Sequence, residues 1–541
     1  MEEVQDNALA LGRLTSLRAI FAIAVPAALF RVSDVLSSTL QTSLVSKHGG
    51  TEMLAAFAAV GVTTRTTLKL FAFMLDGVAA KVGRSAAHEP AQALRARLRL
   101  YFASCLVLGL IATAVLLGGQ DHILLPFNLT SRVRELADPY WVLLSLLLPL
   151  MLTNMAISGT LQGLRHVGLS AALEALGAAA EIAGTYTVLT ASWLPRHFSR
   201  LAALGLVKLG VMVVTSGAGL SLIAWLLPRS QQHQQQRQRH DHASSGEDTL
   251  ATPLLGGKLP MYSSTAIPES LDPPSPTSVL PPGLQQPQHE EQGPDSGAAG
   301  AKAAGRQADR AEVALAYLAE LVRDGLNVMT RSIVVQGSMW LTAVAAARLG
   351  TAPLAAHQIL TQLWMLPSHF FGGFAVAAIV LGSRLALQGG EGGANAVAVR
   401  RAQRRLSSRL VLLAASLGAA VGCALALWKA QAIGFFHPKD GVAPALAGPA
   451  WHAMCALQPL TAAIFTLTGL IFGAQLFAFM RNVLLAGFLG LFCPLIFWVI
   501  RKGPDGAAGL GAVWRVKVGF YVWQVIAEAV GVGRAYGYLA R

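Results

Sequence analysis

Charge is the scarcest commodity in this chain. Asp, Glu, Lys and Arg make up 13% of its 541 residues, against about a quarter in a soluble globular protein. A solvated globule of this length is thereby excluded. Cysteine is also scarce: Cys105, Cys423, Cys455 and Cys493 lie inside apolar stretches and show no metal-ligand spacing. They read as small core residues, and neither a disulfide scaffold nor a metal site is expected. No phosphate-binding glycine loop, no H-E-x-x-H and no G-x-S-x-G between a strand and a helix is found, so the chain is not expected to be an enzyme or to need a cofactor. The net charge of +14 comes from short basic loops rather than a basic aromatic face, which argues against nucleic acid as a partner. The opening MEEVQDNALALGRL has neither the apolar run of a secretory signal nor the Arg/Ser bias of a transit peptide. Insertion is expected through the first helix, or a leader has been removed.

Apolar length is what the chain has in abundance. Hydrophobic residues are 54% of the total and the mean hydropathy is +0.51, with many runs long enough to cross a hydrocarbon layer of roughly 30 Å. The hydropathy predicts an all-α, multi-pass membrane protein of twelve transmembrane helices, the first six near 17–45, 53–80, 99–119, 139–162, 168–192 and 200–227. The second six fall near 313–347, 354–386, 407–430, 446–475, 479–500 and 509–532. The division expected is a first lobe over 1–228, a linker over 229–310 and a second lobe over 311–541. The linker, with QQHQQQRQRHDH and LDPPSPTSVLPPG, is too polar and Pro-rich to bury a core and reads as disordered.

Lys81, Arg84, Arg95, Arg97 and Arg99 follow the second helix, and Arg384, Arg400, Arg401, Arg404, Arg405 and Arg409 follow the eighth. The even-numbered loops, both termini and the linker are therefore expected on the cytoplasmic side or its equivalent. The other face carries Asn128-Leu129-Thr130, a glycosylation sequon if the chain passes through the secretory route. Which membrane holds the protein is left open.

The two sets of six helices are related. Gly50-Thr51-x-x-Leu54-Ala55-Ala56 returns 300 residues later as Gly350-Thr351-x-x-Leu354-Ala355-Ala356, and Arg84 returns as Arg384. Pro149, Gly159 and Gly163 return 310 residues later as Pro459, Gly469 and Gly473. A six-helix unit used twice in one orientation implies a pseudo-twofold along the membrane normal, with a central cavity between the lobes.

On these repeats, the segments PAALFRVSDVLSSTLQTSLVSKHGGTEMLAAF, RLGTAPLAAHQILTQLWMLPSHFFGGFAVAAIVLGSRL and LQPLTAAIFTLTGLIFGAQLF resemble the multidrug and toxic compound extrusion (MATE) transporters, nearest their DinF-like branch. AAHQI followed by QLW is the most specific piece. The resemblance implies two six-helix lobes in a V, opening alternately to each side. It implies a probable-monomer antiporter exporting a small organic solute, such as a xenobiotic, in exchange for H⁺ or Na⁺. Three acidic positions of the family pattern are Gln41, Gly372 and Thr468 here. Their loss motivates a rival reading, a non-transporting or differently coupled relative acting as scaffold or regulator.

An ionisable group within the bilayer costs on the order of 3 kcal/mol, so each is a functional candidate. Asp34, Ser38 and Gln41 share one face of the first helix. Asp34 falls where the DinF-like pattern often has Glu. Asp34, Gln41 and, on the fifth helix, Glu181 are the candidates for cation or proton coupling. Arg65, Lys69 and Asp76 share a face of the second helix. A cavity holding Arg65 and Lys69 suits an anionic solute, making an organic-anion facilitator a further alternative, unless Asp34, Asp76 or Glu181 neutralises them. On the seventh helix Asp324, Asn327 and Arg331 form a stripe in which Asp324 and Arg331 read first as a pair. Arg331, His357, Gln358 and Gln362 complete the candidate cavity lining.

Overall fold

Ser16 opens the first helix by accepting a hydrogen bond from the Ala19 N–H at 3.2 Å, satisfying one of the free donors of the first turn. In the computed structural model, described over residues 15–71, 82, 91–164, 166–192, 199–244, 330–388, 396–439, 441–474 and 476–536, every regular element is helical. Helix α1, Leu17–Leu70, contains the first predicted span and the second as far as Leu70, divided at Gly50, whose φ of 80° turns the chain back. The left-handed region excludes a Cβ at little cost only for glycine. At the same place in the second lobe Gly350 has φ 120°. The 300-residue repeat in sequence is thus a repeat of one turn.

The remaining first-lobe spans are α2 (Ala91–Gly118), the pair α3 (Ser131–Leu146) and α4 (Leu148–Gly163), α5 (Val167–Thr190) and α6 (Arg200–Ser244). The second lobe has α7 (330–348), α8 (Thr351–Gln388), α9 (Ala396–Leu427), α10 (Pro449–Gly473), α11 (Phe477–Gly487) continued by α12 (Cys493–Lys502), and α13 (Gly506–Ala535). A π-turn over Phe488–Phe492 joins α11 to α12. With α1 counted as two and each broken pair as one, the described residues hold twelve helical segments in the predicted order, and seven helices, or eight with the bent α3–α4 pair as one, are long and apolar enough to cross a membrane. Helix α10 has 25 residues, about 37 Å at 1.5 Å per residue, enough to cross the hydrocarbon layer. Helices α3 and α4 meet at 45° beside Pro149, whose missing N–H interrupts the ladder. Helix α6 runs past Pro228 to Ser244, so helical backbone continues into the Gln/His run at the start of the predicted linker. Residues 245–329 lie outside the described part.

Other repeat residues also fall on matching geometry. A Cβ on Gly418 would stand 2.7 Å from the Pro459 Cα, and one on Gly109 would collide with Pro149 in the same way. Both glycines let the third or ninth helix press on a proline-bearing neighbour. Asn128 of the sequon and His437 are likewise paired, at φ 48° and 46°, each ending a short helical turn on the odd-loop face.

The apolar cores show how the lobes meet. On the odd-loop face a single core joins Val60, Phe127, Trp141 and Leu148 of the first lobe to Ala346, Leu360, Trp451 and Trp514 of the second. Toward the even-loop face, among the described residues, the two lobes have separate cores, joined through the start of α1. Val82, Leu94, Leu98, Leu161 and Leu226 form a core in the first lobe, while Phe371, Leu385, Leu406 and Leu470 belong to another in the second. Ile20 and Ala24, from the start of α1, belong to the second-lobe core. Among the described residues the lobes share one core at the odd-loop face, and toward the even-loop face the start of α1 is the first-lobe element that joins the second-lobe core.

Candidate functional site

Hydrogen bonds follow the fused junction. The Gln358 amide donates to the Thr42 hydroxyl at 3.3 Å, and the Gln362 amide oxygen lies 3.4 Å from the Thr39 hydroxyl. Ser43 donates to the Phe435 carbonyl at 2.7 Å, and Arg348 to the Pro126 carbonyl at 2.7 Å. Trp340 donates to Thr63 at 3.2 Å while meeting the Phe127 ring edge-on at 5.6 Å. The first span thus contacts the eighth, and the seventh contacts the second, as a twofold requires. Gln358 and Gln362 sit in this seam rather than in an open cavity.

In the first lobe the two predicted stripes face each other: Arg65 donates to the Ser38 hydroxyl at 2.7 Å. Gln41, buried, donates to Ser37 at 3.1 Å on its own helix. Glu181 forms an ion pair of 3.3 Å with Lys208 of α6, a partner the sequence reading did not name. The buried Tyr140 hydroxyl lies within electrostatic range of both Glu181 and Arg65. Lys69 is exposed. The backbone of Asp34 is helical, but its side chain, like all of Asp76 and Asp324, lies outside the described part.

The second lobe holds charges the sequence reading passed over. Lys517, Gln524 and Glu528 are all buried along one face of α13. The Lys517 ammonium sits 3.6 Å from the Trp364 ring centre and 4.8 Å from that of Trp514, with the Met339 sulfur at 3.4 Å. Trp364 is fixed by its own bond to Thr461 at 2.9 Å. His357, buried, packs on Trp514 with ring centres 5.6 Å apart and is within electrostatic range of Lys517. Arg331 places its guanidinium 5.2 Å over the Phe472 ring. Glu528 accepts a hydrogen bond from Thr468 at 3.1 Å. Thr468, which the sequence resemblance set where an acidic residue was expected, is therefore a hydroxyl on α10, and the Glu528 carboxylate of α13 lies beside it. The signal was available: Lys517, Gln524 and Glu528 interrupt an apolar span at i, i+7 and i+11.

Sequence comparison matches residues 26–187 to the MatE family. Protein DETOXIFICATION 43 of Arabidopsis thaliana is 28% identical over 221 residues, which are 38% of this chain and 39% of that protein. The matched stretch thus spans well under half of that relative's length. Among solved structures, an inward-facing conformation of a multidrug resistance MATE family transporter of the MOP superfamily superposes with a TM-score of 0.67 at 13% identity, covering 95% of this chain and 100% of the other. An outward-facing conformation described in the same words gives 0.58 at 16% identity, over 96% and 94%. A MOP superfamily transporter from Pyrococcus furiosus Vc1, whose binding pocket is described as of reverse polarity, gives 0.59 at 16% identity over 96% and 94%.

Proposed function

We propose that the chain is a member of the MATE family and a secondary active transporter, on the family match over residues 26–187 and the shared fold. Its action is alternating access: a small organic solute is exported in exchange for H⁺ or Na⁺. The observation that supports this reading is the arrangement of cores among the described residues, shared by both lobes at the odd-loop face and, toward the even-loop face, divided except for the start of α1. By the loop charges the separated end is the cytoplasmic one, so a solute would enter there and leave after the fused junction opens.

The solute class favoured is an organic anion. Among the described residues Arg65 is held by a hydroxyl and Lys517 by two indole rings, and neither lies within ion-pair distance of a described carboxylate. A cation desolvated in this way gains from an anionic ligand. Within the first lobe, Asp34, Gln41 and Glu181 remain the coupling candidates.

Flux into proteoliposomes under imposed pH or Na⁺ gradients tests both statements. Gradient-driven movement of an organic anion, lost in Asp34→Asn and weakened when Arg65 and Lys69 are both changed to Gln, is the expected result. No movement of any organic ion would overturn transport in favour of a scaffold. Movement of organic cations alone would overturn the anion assignment.

A further inference from the structure

Among the described residues, Glu528 is a buried carboxylate with one oxygen lacking a hydrogen-bond partner. It is 0% exposed. One carboxylate oxygen accepts the Thr468 hydroxyl at 3.1 Å, and the other has no hydrogen-bond partner. Around it α10 contributes Thr468 as its polar contact, and α7 contributes Arg331, which acts on it electrostatically but lies beyond ion-pair distance. On its own helix Gln524, one turn away, and Tyr521 and Lys517 farther off share its face. Arg331 is the one charge from a neighbouring helix, among the described residues, that is felt at Glu528.

We infer that Glu528 is a proton-binding carboxyl of the second lobe, poised between Thr468 and Arg331 and exchanging its proton as the lobe changes shape. The transport reading leaves the ion open and seeks coupling groups in the first lobe; this assignment rests on that reading and names an ion and a second-lobe residue. The carboxyl oxygen without a partner is the place at which a proton would be held in this state. The ionised form becomes competitive if Arg331 leaves the Phe472 ring and closes on the carboxylate. The step is a simple dissociation: the carboxyl O–H breaks, its electron pair stays on the oxygen, and the proton passes to water on whichever side the lobe is open.

Infrared difference spectroscopy of the purified full-length protein in lipid, titrated through the neutral range, reads the carboxylic C=O band directly. The expected result is a titrating band in the wild type that is absent in Glu528→Gln. Thr468→Val and Arg331→Gln should each move its midpoint to higher pH, because each removes a group that stabilises the ionised form. Those two shifts decide the matter if Glu528→Gln fails to fold. A spectrum with no titrating band, or with one indifferent to all three substitutions, overturns the assignment. If the band behaves as stated while no solute moves in proteoliposomes, transport fails and the proton site stands. If flux is gradient-driven and the band is missing, the reverse holds.

Discussion

Gln358 of the second lobe donates to the Thr42 hydroxyl of the first, and Thr42 in turn donates to the Ser38 carbonyl at 2.8 Å, one residue's hydroxyl serving both lobes. Ser38 itself receives Arg65. The seam between the lobes is therefore wired to the charged stripe of the second span through two consecutive turns of α1. Thr42→Val should leave the Gln358 amide short of a partner in a buried seam and cost about 1–3 kcal/mol. Adding Gln358→Leu should recover part of that loss. Detergent-solubilised thermal unfolding of the four proteins of the cycle checks it, and additive effects would separate the two residues.

The turn glycines make a cleaner test of backbone preference. Nothing lies within 4 Å of a Cβ built on Gly50, so Gly50→Ala meets no steric neighbour and suffers only from its φ of 80°. A loss of about 1 kcal/mol is expected, with Gly50→Asn milder because Asn tolerates that region better. Melting temperatures of both variants, beside the same pair at Gly350, measure it.

A different penalty applies where glycine is small rather than flexible. Gly109→Ala and Gly418→Ala both drive a methyl into the backbone of a proline-bearing helix, with 2.7 Å the available space at Pro459. Overpacking of this kind typically costs about 1–3 kcal/mol, and the two lobes should suffer alike. Folded yield after extraction, scored by monodispersity, would expose an unequal response.

The Glu181–Lys208 pair is partly screened, its side chains 15% and 24% exposed. Removing one partner leaves the other charge in an apolar surround, so Glu181→Gln should destabilise by up to about 3 kcal/mol. The swap Glu181→Lys with Lys208→Glu should restore most of it. A swap as unstable as the single change would mean that each residue answers to something other than its partner.

Much of the architecture could be read before any coordinates. Gly50 and Gly350 announce a shared turn because the conformation they permit is local, and local requirements repeat whenever a unit is duplicated. Pro149 and Pro459 return for the same reason, as do Gly163 and Gly473, which end α4 and α10 before equivalent turns. The charged constellation was less legible. Thr468 read as a lost carboxylate, since its motif is contiguous, whereas Glu528 reaches it from a helix 60 residues along the chain. Lys208 was hidden from the Glu181 argument by the same distance in sequence. Lys517 needed no partner to be noticed; its apolar setting was itself the signal. The fusion of the cores at one face leaves no trace in hydropathy, which records how apolar a residue is and not what it touches.

The placement of Ile20 and Ala24 in the second-lobe core, with Val45 farther along α1 in the shared one, has a mechanical meaning. The first span is thus held by the second-lobe core near its start and by the shared core near Gly50, and under the transport reading proposed above it would act as a leaf spring bridging a hinge, with the flexing on the turns between. Asp34 and the Ser38–Arg65 contact lie in that stretch, so a change of charge there alters the stiffness of the spring as well as the chemistry beside it.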